Sequence, residues 1–285
     1  MSDIFKAACV QNCAGADMSA TLERAAALTR RAGDEGADFI TLPEFFACLD
    51  VGDNGLQTGA VPENRHPALS LFSGLAQETG AWILLGSLGI DDGGTRLRNR
   101  SFMIDPAGII QARYDKIHMF DVELGNGETY KESDVFEPGD NAVVAPTPWG
   151  LMGLSVCYDL RFAYLYRALA QAGARFLTVP AAFMRTTGQA HWHTLLRARA
   201  IETGCYVIAP CQNGKHGRAQ TYGHSLIVDP WGEVLADGDG DEEDVVIAEI
   251  DPAKVEEARA KIPALRHDRP YDEPVKVALT VQAGE

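Results

Sequence analysis

Strand-length apolar runs alternate with segments of helical spacing almost from end to end of this chain, which restricts it to an α/β fold. Residues 4–11 read as a first strand. Residues 19–33 read as a helix with Leu22, Ala25, Ala26, Thr29 and Ala32 on one face. A strand over 38–42, a helix over 67–79 and a strand over 81–87 follow. Strands at 101–105 and 109–114 meet at Pro106-Ala107-Gly108, a hairpin turn. Residues 117–141 read as one long loop rich in charge and glycine, and so long a loop in a compact domain is more often functional than idle.

The second half repeats the alternation. A strand over 151–156 leads to a helix over 161–172, a strand over 175–179, a helix over 189–203 and a strand over 205–210. Strands at 225–229, 233–236 and 245–250 come next, then a helix over 252–261 with Asp251 as N-cap and Pro252 at its first position. The acidic stretch 237–244 lacks the spacing and terminal glutamate of an EF-hand and reads as a solvated hairpin loop. No Pro/Ser/Gly-rich linker divides the chain, so residues 1–285 read as one domain.

Charge and cysteines remove whole classes of function. With 25 Lys and Arg against 40 Asp and Glu, the net charge of −15 argues against a nucleic-acid partner. No apolar run approaches the ~20 residues of a membrane span, and the start lacks the basic and apolar regions of a secretory signal. Nor is there a GxxxxGK[ST] loop. Cysteines 9, 13, 48, 157, 205 and 211 contain no CxxC pair and are too sparse for a disulfide scaffold, which fits a reduced cytoplasm. Cys9 and Cys13 have no matching His/Cys pair after them, so no metal is expected there.

Three ionisable groups stand just past strand ends, where open α/β sheets keep their sites. Glu44 follows the strand ending in Leu42-Pro43, Lys116 follows the strand from about Ile109, and Cys157 sits on the turn between the 151–156 strand and the next helix. Backbone N–H groups at a helix start favour negative charge, so a thiol at Cys157 can be held as a thiolate nucleophile; the alternative reading is a small buried hydrophobe, as most free cysteines are.

Glu44, Lys116 and Cys157, in that order, resemble the constellation of the nitrilase (carbon–nitrogen hydrolase) superfamily. The resemblance extends through Lys116-Ile117-His118-Met119-Phe120-Asp121, Tyr130-Lys131-Glu132-Ser133 and Cys157-Tyr158-Asp159-Leu160-Arg161-Phe162. It continues through His191-Trp192, Leu195 to Thr203, Tyr222-Gly223-His224-Ser225 and Val228-Asp229-Pro230-Trp231-Gly232. It implies a four-layer α-β-β-α sandwich and a cysteine-dependent hydrolase of non-peptide C–N bonds, with no metal or organic cofactor. Within the superfamily the chain looks most like the branch of deaminated-glutathione amidases and omega-amidases.

By that resemblance, Cys157 attacks an amide carbon and forms a thioester, Glu44 moves the protons, and Lys116 with the Tyr158 N–H stabilises the oxyanion. Glu132 corresponds to a second glutamate that steadies the lysine and orients substrate; on the residues alone it reads equally as a solvent-facing loop acid. Arg161, Phe183 and Thr187 correspond to positions near a substrate 2-oxo or carboxylate group; Arg161 could instead pair with an acid on its own helix. The implied partners are a small amide and water, the implied products ammonia and a carboxylic acid, and the implied assembly a homodimer or higher homo-oligomer. His118 and His224 read as structural, and His191-Trp192 as the opening of a helix beside the pocket. After Glu44 the chain reads Phe45-Phe46-Ala47-Cys48 and lacks the Ser-Pro-Tyr-Gly element typical of omega-amidases, which favours a deaminated-glutathione-like amide. An omega-amidase, an N-carbamoyl-amine hydrolase, a nitrilase with the same three residues, and a silent binding protein on this scaffold stay as alternatives.

Overall fold

Alternate residues of the strand Phe5–Gln11 face opposite layers. Ala7 and Cys9 join the core shared with a second sheet, whereas Ala8 and Val10 pack under helices, as the two-residue period of a strand requires. The structure, a computed structural model, describes residues 4–52, 55–125 and 128–276.

The first six-stranded sheet runs Asp244–Ile250, Phe5–Gln11, Phe39–Thr41, Trp82–Ile90, Arg98–Ile104 and Ile110–Asp115 from edge to edge. The second runs Val143–Thr147, Gly150–Leu154, Ala174–Thr178, Tyr206–Ala209, Leu226–Val228 and Val234–Asp237. Helices α1 (Met18–Asp34) and α2 (Pro67–Thr79) cover the outer face of the first sheet. Helices α3 (Ala163–Gln171) and α4 (Arg185–Thr203) cover the second. Between the sheets, Phe5 stacks on Trp149 and meets Phe176 edge-on. The result is the expected α-β-β-α sandwich.

Strand direction decides where the site lies. Phe5–Gln11, Phe39–Thr41 and Trp82–Ile90 are mutually parallel. Arg98–Ile104 and Ile110–Asp115 each reverse direction, so Ile110–Asp115 again points the same way. The residues after Thr41 and Asp115 therefore emerge at one edge, beside the start of Arg98–Ile104.

Several local expectations need correction. The stretch 117–141 contains a hairpin, Asp121–Gly125 with Glu128–Lys131, followed by a 3-10 turn over Glu132–Asp134. Residues 237–244 connect the two sheets and do not close a hairpin. Helix α4 begins at Arg185, so His191 and Trp192 lie inside it. A five-residue 3-10 turn, Cys157–Arg161, precedes α3. In the last helix, Ala253–Lys261 (α5), Pro252 is the cap residue, and the Asp251 carboxylate accepts the Ala253 N–H at 2.9 Å. Short hairpins at Asp50–Gly52 with Gly55–Gln57, and at Asn213–His216 with Ala219–Tyr222, carry too few residues to show a period.

The start of α2 couples stability to pH. His66 caps it by accepting the Ala68 N–H at Nδ1 (3.3 Å), while its Nε2 is buried without a partner among the described residues. Burial pushes its pKa down from 6.5 to about 4. The unfolded chain thus binds a proton between pH 6.5 and 4 that the folded one refuses, and stability falls as pH drops through that window. The full change is about 3 kcal/mol. Chemical denaturation of wild type and His66→Asn at pH 7.5 and 4.5 should show a smaller acid loss in the variant, whose amide caps without titrating.

Candidate active site

Each of the three central residues is delivered by a backbone held in place. Glu44 follows Leu42-Pro43, and the next residue, Phe45, has a φ of 52° and donates its N–H to Ser87 Oγ at 3.1 Å. Lys116 directly follows Ile110–Asp115 and donates its N–H to the Asn99 carbonyl at 2.9 Å. Cys157 has a φ of 49° and donates its N–H to the Pro180 carbonyl at 2.9 Å. A side chain in this left-handed region costs roughly 1–3 kcal/mol, so the surrounding bonds must hold it.

Asp159 does much of that holding. Its buried carboxylate accepts the Val156 N–H at 2.8 Å and the Tyr114 hydroxyl at 2.7 Å through Oδ2. Oδ1 accepts the His118 N–H at 3.1 Å and faces His118 Nδ1 at 2.6 Å. One carboxylate thereby ties the turn bearing Cys157, on the second sheet, to the residues flanking Lys116 on the first. His118 has the structural place expected of it.

The charged centre is buried. Lys116 Nζ donates to Glu44 Oε1 at 2.9 Å and to both oxygens of Glu132, at 3.0 and 2.7 Å. Asn99 Nδ2 donates to Oε1 of both glutamates at 3.0 Å. Glu44 Oε2 accepts the Ala182 N–H at 2.9 Å, and Glu132 Oε2 accepts the Phe120 N–H at 2.7 Å. The Cys157 thiol lies close enough to Glu44 for each to affect the other's ionisation.

These contacts set the protonation states. Burial is the largest influence on Glu44 and works against ionisation. The Lys116 charge, the bonds from Lys116 and Ala182 and the neighbouring Cys157 thiol outweigh it and hold the carboxyl below its usual range. Glu132 is raised, first by burial and then by Glu44's charge, with Lys116 opposing. Lys116 stays cationic despite its burial, because two carboxylates face it. Burial and the Glu44 carboxylate push the Cys157 thiol well above its ordinary value. The helix-start argument for a thiolate does not prevail here: a 3-10 turn of five residues offers too little aligned dipole to outweigh burial and an adjacent carboxylate.

A cavity of about 480 Å³ opens onto this centre. Its walls include Glu44, Lys116, Glu132, Cys157, Tyr158, Arg161, Phe183 and Thr187, so all eight residues singled out from the sequence meet there. The Arg161 guanidinium lies over the rings of Tyr158 and Phe183, 5.8 and 5.3 Å from their centroids, and 3.4 Å from His191 Nδ1. Among the described residues no carboxylate pairs with it, on its own helix or elsewhere.

Comparison with known proteins agrees with this arrangement. Residues 6–260 match the carbon-nitrogen hydrolase family. The chain belongs to that family. It is 40% identical over 269 residues to a deaminated glutathione amidase from Synechocystis, covering 92% of this chain and 97% of the relative. It is 36% identical over 271 residues to an omega-amidase from Homo sapiens, covering 93% and 95%. A variant of the amidase from Nesterenkonia sp. AN1, with the acetamide moiety of fluoroacetamide added covalently at its active-site cysteine, superposes with a TM-score of 0.76. That match is 25% identical and covers 91% of this chain and 95% of that one. The protein is accordingly a hydrolase of carbon–nitrogen bonds.

Two residues of this hydrolase centre escape sequence reasoning. Asp159 was visible only as part of the Cys157 motif; the signal was an acid between apolar neighbours, which needs partners if buried. Asn99 gives no such signal in Arg98-Asn99-Arg100-Ser101, and only strand register brings it beside Lys116. Its Oδ1 is buried without a partner among the described residues, while its nitrogen serves two carboxylates. Hydrogen bonds to charged groups are worth about 1.5–3 kcal/mol, so Asn99→Leu should lower kcat by roughly 10–100-fold. Glu44 would also lose a donor that favours its ionised form, moving the acid limb of the kcat/KM–pH profile to higher pH. A purely structural defect would leave that limb in place.

Proposed function

We propose that this protein is an amidase for a small amide bearing a 2-oxo or carboxylate group, of the deaminated-glutathione type, working through a Cys157 thioester. The observation that carries the reading is that Cys157, Glu44 and Lys116 line the wall of one cavity, with Lys116 bonded to Glu44. As sulfur attacks the amide carbon, its proton passes to Glu44 and the carbonyl oxygen becomes an oxyanion. The Lys116 ammonium and the Tyr158 N–H stabilise that charge. Glu44 then protonates the amide nitrogen, the C–N bond breaks, and ammonia leaves when the amide is primary. Water attacks the thioester and gives its proton to Glu44; the C–S bond breaks, and Glu44 returns the proton to sulfur. Glu132 and Asn99 keep Lys116 and Glu44 in register throughout.

An anionic substrate is favoured by the cations around the cavity. Lys131, Arg161 and Arg218 all line it, in a chain whose net charge is −15. Arg161 offers a guanidinium fork suited to a carboxylate. The test is steady-state kinetics on an ω-amide of a 2-oxo acid and on a neutral amide of equal length. Arg161→Ala should raise KM for the charged amide by roughly 10–100-fold and leave the neutral one nearly unchanged. Equal effects on both would remove the assignment of Arg161. N-carbamoyl and nitrile compounds in the same panel separate the remaining enzyme alternatives.

Residues 1–285 act in this reading as one domain and pair as a homodimer in a reducing, cytoplasmic setting. The exposed Tyr164, Ile201 and Trp231 support pairing, and the free cysteines support the setting. Among the described residues, no helix is long and apolar enough to cross a membrane.

A further inference from the structure

We infer that His193, His224 and Asp237 form a binding site for a divalent transition-metal ion of the zinc, nickel and cobalt class. The three come from separate elements: His193 from α4, Asp237 from the end of Val234–Asp237, and His224 from the turn after Ala219–Tyr222. One donor atom from each lies within 4.8 Å of the others. The two carboxylate oxygens face one imidazole nitrogen apiece, His193 Nε2 to Oδ2 and His224 Nδ1 to Oδ1, both at 3.0 Å. Ligands bound at about 2.0–2.2 Å stand about 3 Å apart around a single ion, which the two carboxylate–imidazole distances match, and small rotations of the partly exposed imidazoles bring the third pair, within 4.8 Å, onto one metal. Two imidazoles and one carboxylate suit ions of this class better than calcium or magnesium, which prefer all-oxygen sites.

The donors are also held and reachable. The Tyr222 ring lies 4.4 Å from the His224 ring and 6.0 Å from the His193 ring, which limits how either imidazole can turn. The Trp192 indole N–H donates to the His224 carbonyl at 2.8 Å and fixes that backbone. Side-chain exposures of 30–38% leave room for water to complete the coordination. The nearby Arg185 is paired with Asp241. None of the three side chains lines the catalytic cavity, so the site is separate from the Cys157 chemistry.

Calorimetric titration of the intact protein with nickel chloride at pH 7.5 tests the inference. One Ni²⁺ per chain is expected, with affinity reduced at least about tenfold in each of His193→Ala, His224→Ala and Asp237→Asn. Melting in EDTA identifies any variant that has lost its fold; Asp237→Asn, nearly isosteric, decides the matter if a histidine replacement does. A melting temperature that Ni²⁺ raises in wild type and not in Asp237→Asn would support the site. Wild type that takes up no Ni²⁺, or uptake that survives all folded variants unchanged, overturns it.

Discussion

Cys157→Ala should lower amide turnover by at least about 10⁴-fold while leaving the fold intact, since removing a covalent nucleophile leaves only binding and charge stabilisation. The left-handed turn is fixed by Asp159 and by the bond from the residue-157 N–H to Pro180, neither of which involves the sulfur. Two measurements check this. Coupled ammonia release gives the rate. Intact mass after an acid quench should show an acyl adduct on wild type and none on the variant. Because the resting thiol is protonated, the adduct should also depend on Glu44, and Glu44→Gln should slow its formation by about 10²–10⁴-fold. Turnover in Cys157→Ala within tenfold of wild type would end the thioester mechanism.

Lys116→Met should produce the largest loss of stability together with a loss of activity. The substitution leaves Glu44 and Glu132 buried without their shared cation. Breaking such a cluster costs about 3–5 kcal/mol, and losing an oxyanion donor lowers kcat by about 10²–10³-fold. Without the ammonium, the folded carboxyls rise above their unfolded values, so the folded state binds more protons than the unfolded one. The variant's deficit should therefore shrink as pH falls from 8 to 5. Denaturant unfolding at both pH values reads this directly. Adding Glu132→Gln should restore part of the stability and none of the turnover, and a double variant as unstable as Lys116→Met alone would contradict the charge argument.

The chemistry was more legible in the sequence than its support. Glu44, Lys116 and Cys157 each follow an apolar strand, and a strand's end is a place that local patterning can find. The resemblance added Glu132, Arg161, Phe183 and Thr187, and all of them line the cavity. Asn99 stayed hidden because its role depends on an antiparallel register that no local pattern encodes. The hairpin that carries Tyr130 and Lys131 to the cavity was hidden by its short strands and charged residues. The early start of α4 was missed because Met184 supplies no capping side chain and Arg-Thr-Thr-Gly is a poor helical opening. Strand order across the sheets is likewise set by packing between distant segments.

Proton carrier and ammonium ride on one sheet and sulfur on the other, so the catalytic distances are gauged by whatever bridges the two sheets at that end. The Asp159 carboxylate, bonded to Val156 beside the sulfur and to Tyr114 and His118 on either side of the ammonium, spans that gap without touching a reacting atom. A shift of one ångström in a reacting geometry can cost about 10²-fold in rate. A single buried side chain that meets no substrate thus sets how closely nucleophile and proton carrier can approach each other.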